Sequence, residues 1–161
     1  MNATNLVSRV TQFTIDHPDE RDCWMKASAI TGILEWEDPA AVEAVDGWLQ
    51  RAIDTQRTGG NFTYSDTVQM IVAGHIRSYT SIASITSGIG YPMLRRYQQT
   101  GKAEYLAAAG RQVEALMSAP RTSEGGFWHK KRYPHQMWLD GLYMGSPFLA
   151  QYARQFAEPA L

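Results

Sequence analysis

The run that decides how this chain folds is 124-EGGFWHKKRYPHQMWLDGLYMGSPF-148, from Glu124 to Phe148. It opens as loop. Glu124 before Gly125-Gly126 gives a tight turn, and Pro120 to His129 reads as a connection hinged on those glycines. It closes as helix. From Gln136 to Phe156 apolar residues return every third or fourth position, with a kink expected near Gly145-Ser146-Pro147, where Ser146 can cap a fresh start. The run holds six aromatic residues, two histidines and one aspartate. A loop that carries so many bulky and polar side chains is a place to look for function.

The helical period continues toward the N-terminus. Leu6, Val7, Val10, Phe13 and Thr14 predict a helix from Thr4 to Asp16, stopped by His17-Pro18. Trp24, Ala27, Ile30, Ile33 and Leu34 form the stripe of a second, from Cys23 to Trp36. Asp38-Pro39 is a cap followed by proline in the first turn. The helix it starts carries Val42, Val45, Leu49 and Ile53 and ends before Thr58-Gly59-Gly60. Asn61 to Ser65 reads as loop, and Ser65 or Asp66 caps a helix from Thr67 to about Tyr79. Thr80 to Gly90 is rich in Ser, Thr, Ile and Gly and predicts an irregular connection. Helix resumes over Tyr91 to Gln99 and ends at Thr100-Gly101. Lys102 to Ser118 follows, with Tyr105, Leu106, Ala109, Val113, Leu116 and Met117 inside. Helices joined by short links pair as helical hairpins, and the pattern is loosely repetitive, as in hairpins stacked in a ring. The fold class is all-α, with about seven helices.

Composition sets the remaining bounds. The 161 residues fit one domain, 44% of them apolar and 19% charged, which suffices for an ordinary core. The net charge is -1, and the basic cluster Lys130-Lys131-Arg132 is too short for a phosphate footprint, so nucleic acid is not an expected partner. Cys23 is the only cysteine, which excludes an intramolecular disulfide and a cysteine zinc site. His129 and His135 lack metal-ligand spacing, and no cofactor is expected. The N-terminus does not read as a secretory signal and no segment is long and apolar enough to span a bilayer, so the expected location is cytoplasmic.

The residues of the decisive run each carry two readings. Trp128 and Trp138 can stack on a pyranose ring, or fill a core. His129 and Lys130 can donate to a carboxylate or hydroxyl, or sit in a surface loop. Asp140 can be a proton donor whose pKa burial raises, or the cap of the helix that follows.

The phrases Glu124-Gly-Gly-Phe-Trp-His-Lys and Tyr133-Pro-x-Gln-Met-Trp-Leu-Asp-Gly-Leu-Tyr-Met resemble the unsaturated glycuronyl and rhamnogalacturonyl hydrolases of glycoside hydrolase families 88 and 105. The likeness weakens through Thr100-Gly101-Lys102-x-x-Tyr105 and is faint before Gly60. It implies an (α/α) six-hairpin barrel with its site in the central cleft. It also implies a substrate class: oligosaccharides left by polysaccharide lyases in pectin degradation, with a C4=C5 double bond in the terminal uronic acid. That bond is a vinyl ether. An acid protonates C4, water adds at C5, and the hemiketal collapses to release the sugar, unlike the two-carboxylate displacement of ordinary glycosidases. By resemblance, Asp140 falls on the catalytic aspartate, Trp138 on a ring-contacting position and Lys130 on a basic position near the substrate, with His129 and Trp128 adjacent.

Two departures bear on activity. The family places a second acid ahead of the Thr-Gly-Lys segment, where this chain has Ser84-Ile85-Thr86-Ser87-Gly88-Ile89-Gly90. A six-hairpin barrel has about twelve helices, so the chain corresponds to the N-terminal half of one, a single partial domain over residues 1–161. Two functions compete: a hydrolase of unsaturated uronic-acid oligosaccharides, galacturonyl or glucuronyl, and a noncatalytic helical remnant that binds sugar weakly or associates with another chain. The departures favour little or no activity for the chain alone. Open helix faces favour self-association.

Overall fold

Apolar periodicity sets most of the backbone. The structure, a computed structural model, describes residues 3–16, 24–36, 38–54, 56, 68–72, 75–79, 84–129 and 133–156. Six helices lie among them: α1 (Ala3–Asp16), α2 (Trp24–Trp36), α3 (Pro39–Asp54), α4 (Ser84–Thr100), α5 (Ala103–Met117) and α6 (Leu139–Phe156). Helix α4 is the hub, packing on α2, α5 and α6, while α2 pairs with α3. The core joins Ile30, Leu34, Val45 and Leu49 from the first pair to Met93, Leu94, Tyr105, Leu116 and Phe148 from the last three helices. Full burial of each large apolar side chain contributes roughly 1.5–3 kcal/mol.

The helix ends follow their sequence signals where the residues are described. Asp38 O accepts from Ala41 N and Val42 N, each at 3.1 Å, which starts α3 with Pro39 at its first position. Gly101 at φ +70° closes α4, its N–H donating to Tyr97 O at 2.7 Å, the left-handed cap that glycine adopts without strain. The expected stops at His17-Pro18 and Thr58-Gly59-Gly60, the loop Asn61–Ser65 and the cap at Ser65 or Asp66 lie outside the described residues.

Three expectations are corrected. The helix foreseen over Thr67–Tyr79 is an antiparallel hairpin of β1 (Val68–Val72) and β2 (His75–Tyr79), paired from Val68↔Tyr79 to Val72↔His75. Two short runs rich in β-branched and aromatic residues, two positions apart, are a hairpin signal that competes with the helical period. The helix count is therefore six among the described residues rather than seven, and the all-α class holds apart from this hairpin. The irregular connection expected through Gly90 is helical from Ser84 on, because packing on three neighbours outweighs weak local propensity. No break interrupts α6 at Pro147, which lies exposed within it. The apolar stripe of α1 stays largely open to solvent. Phe13 is 63% exposed, and Leu6, Val7 and Val10 line an open groove of about 480 Å³ against Ile33 and Trp36 of α2.

Close approach at the hub needs glycine. A Cβ on Gly90 would lie 2.4 Å from Gln112 Oε1 and 2.7 Å from the Phe148 ring, both fully buried. By contrast, a Cβ on Gly47 of α3 meets nothing within 4 Å. Gly90→Ala is expected to cost about 1–3 kcal/mol by overpacking, whereas Gly47→Ala gains about 0.5–1 kcal/mol from helix propensity. Urea unfolding of the two variants tests the contrast, and equal midpoints would refute it.

A polar cluster pins α3 to the hub. Arg96 Nε and Nη2 donate to the two oxygens of Asp46 at 2.7 and 2.6 Å, and Tyr105 Oη donates to Asp46 Oδ1 at 3.1 Å. The hydrogen bond to Asp46 holds the Arg96 guanidinium above its ordinary range. Burial, with the Asp46 carboxylate adding to it, pushes the Tyr105 phenol from 10.0 up to about 12. The unfolded chain thus loses this proton first as pH rises. The contribution of Tyr105 is complete below pH 10 and is lost between pH 10 and about 12. The urea midpoint of the wild type is expected to fall across that window, and Tyr105→Phe to flatten the fall.

Candidate active site

Thr122 to Gly126 form the tight hairpin that the Gly-Gly pair predicts. Thr122 N donates to Gly126 O at 2.7 Å and Gly125 N to Thr122 O at 3.0 Å, enclosing a three-residue loop with Gly125 at φ +88°. Thr122 Oγ1 accepts from Gly126 N at 3.1 Å. Arg121 braces the same loop, donating to Gly125 O at 2.9 Å with its guanidinium 4.0 Å from the centre of the Phe127 ring. Phe127 pairs back to Arg121 across the bridge, and Trp128 N donates to Pro120 O at 3.1 Å. The hairpin is thereby tied to the end of α5 and delivers Trp128 and His129 to the start of α6.

There the aromatic residues assemble. The His129 ring is buried, 1% exposed, and stacks on Trp138 with centroids 4.2 Å apart and planes 7° apart. Tyr133 lies nearly parallel to Trp138 at 5.4 Å. Trp138 itself is 42% exposed, so part of its ring remains open, and its indole N–H donates to Gln136 Oε1 at 3.1 Å. Gln136 also accepts from His129 N through its backbone oxygen at 2.7 Å. Trp128 is half-buried and meets the exposed His135 edge-on at 4.6 Å. His135 adopts φ 63°, an uncommon conformation outside glycine that aspartate, asparagine and histidine tolerate best.

Asp140 is the second residue of α6. The first helical bond runs from Leu142 N to Trp138 O, at 3.1 Å, so Trp138 holds the cap position and Asp140 stands within the first turn. The reading of Asp140 as the helix cap does not hold. Its side chain, and the whole of Lys130, lie outside the described parts of the structure, as does the effect of burial on its acidity.

The backbone therefore brings Trp128, His129, Trp138 and Asp140 to one corner, between the α5 hairpin and the N-terminus of α6. Sequence reading missed three supports. Tyr133 and Gln136 flank Trp138, with no periodic signal to mark them. Gly141 backs onto His129, and the Asp-Gly dipeptide was the one sign of it. Among the described residues no group of three or more His, Cys, Asp or Glu side chains could hold a metal ion, and no helix is long and apolar enough to cross a membrane. A family model described as Glycosyl Hydrolase Family 88 matches residues 4–161, which takes in the whole aromatic corner and, but for Ala3, the six described helices, and the chain belongs to that family.

Proposed function

We propose that the chain is a hydrolase of unsaturated uronic-acid oligosaccharides, of the galacturonyl or rhamnogalacturonyl disaccharide type, acting by hydration of the vinyl ether. The observation that carries this reading is the family match over residues 4–161. Asp140, next to the stacked rings, is the proton donor to C4 and then the base toward the water that adds at C5. Trp138, 42% exposed, offers the uncovered part of its ring to the sugar. Lys130 pairs with the uronate carboxylate. Trp128 and His129 complete the binding corner, His129 by lying against Trp138. Such disaccharides are products of pectin degradation, and a cytoplasmic site of action suits a chain whose one cysteine cannot close an internal disulfide.

One observation favours a second reading, a noncatalytic chain that binds sugar and self-associates. Leu139 is 85% exposed, and Leu142 and Tyr143 stand exposed on the same turns of α6, an apolar face of the kind that marks an interface.

The deciding experiment follows the ultraviolet absorbance of the double bond on an unsaturated rhamnogalacturonan disaccharide. Steady loss of absorbance supports the hydrolase. Saturable binding with no loss selects the noncatalytic chain, and neither binding nor loss removes both.

A further inference from the structure

We infer that Gly141 is a positioning residue for the sugar site: the missing side chain lets the first turn of α6 press on His129, which sets Trp138 relative to Asp140. The inference rests on the functional reading for its consequence, but its geometry stands alone. A Cβ on Gly141 would lie 3.2 Å from His129 Nδ1 and 3.7 Å from His129 Cα. The ring has little room to yield. It is buried, and Trp138 lies 4.2 Å away in a nearly parallel plane. Its backbone is held by the 2.7 Å bond to Gln136 O, and Gln136 also accepts from the Trp138 indole. A Cβ at 141 therefore requires the imidazole or the start of the helix to give by a few tenths of an ångström. Either movement alters the separation between the exposed part of Trp138 and residue 140, which directly precedes Gly141. Gly47 lacks such a neighbour, so glycine at 141 is set by contact rather than by the helix.

The test is the Trp138 indole N–H signal in two-dimensional nitrogen–proton spectra of the 161-residue chain, identified with Trp138→Phe. Gly141→Ala is expected to move that signal and leave the core indole of Trp48 in place, while Gly47→Ala leaves the Trp138 signal unmoved. In a His129→Ala background the Cβ has nothing to strike, so adding Gly141→Ala leaves the Trp138 signal where His129→Ala put it. Should Gly141→Ala fail to fold, recovery of folding in the double variant supports the contact. An unmoved Trp138 signal, an equal shift in both backgrounds, or loss of folding in both overturns it. Titration with the unsaturated disaccharide adds the readout that a merely structural glycine leaves alone. Its dissociation constant is expected to rise by about tenfold in Gly141→Ala, below the melting range, since small misplacements of binding groups carry such penalties. An unchanged constant overturns the positioning role. A wild type that does not bind the sugar at all counts against the functional reading, and the indole signal then decides on Gly141.

Discussion

Asp140→Asn is expected to lower turnover of an unsaturated uronyl disaccharide by about 10²–10⁴-fold, the usual contribution of one general acid. The substitution keeps size and shape and removes the transferable proton and the charge. As Asp140 lies in the first turn of α6, loss of its charge costs the helix only about 0.3–1 kcal/mol through the dipole. Circular dichroism should therefore show an unchanged helical content beside the lost rate. Affinity for the sugar should change far less than the rate, because Trp138 and Lys130 remain. A variant that keeps a tenth or more of the wild-type rate would remove Asp140 from the proton-transfer role.

The second large effect concerns stability. Arg96→Met is expected to destabilise the fold by about 2–4 kcal/mol, because it leaves the Asp46 carboxylate partly buried with one phenol for company. The Arg96 side chain is 10% exposed and that of Asp46 30%, so water recovers part of the loss and the lower half of that span is the better expectation. The double variant Asp46→Leu with Arg96→Met should regain part of it, since replacing both charges by apolar groups is often neutral while the buried Tyr105 hydroxyl loses its acceptor. Urea unfolding of the two single variants and the double gives the coupling directly. Additive losses would show that the pair is not a unit.

Local chemistry made much of this fold legible. Ala27, Ile30, Ile33 and Leu34 are core as their spacing required, and Asp38-Pro39 and Thr100-Gly101 mark helix ends because each signal acts within one turn. What escaped depends on partners far along the chain. Asp46 and Arg96 stand 50 residues apart, and nothing in either segment announces the other. The helix through Gly90 exists because Gln112 and Phe148 close over it, a fact carried by α5 and α6. The stripe of α1 was visible, but whether a neighbour closes over a stripe is not a property of the stripe. Met117 shows the same limit, expected inside α5 yet exposed at its last position.

The candidate site divides the same way. The residues Trp128, His129, Trp138 and Asp140 could be named from the sequence, and the Gly-Gly turn behaves as expected. Their packing could not. In the sequence His129 reads either as a donor to a carboxylate or hydroxyl or as a surface-loop residue; in the structure it is buried against Trp138, where the hairpin folds it inward onto Gly141.

The Asp46–Arg96–Tyr105 cluster has a consequence beyond its energy. Leucine and alanine faces on neighbouring helices are forgiving: α3 could slide by one turn, or roll on the hub, and still find apolar surface. A two-pronged guanidinium fork cannot, since its bonds at 2.6 and 2.7 Å demand one rotation and one height. The cluster acts as a registration key, selecting a single docking of α3 from several of similar apolar content. It thereby fixes the frame on which α5, and through it the aromatic corner, is mounted.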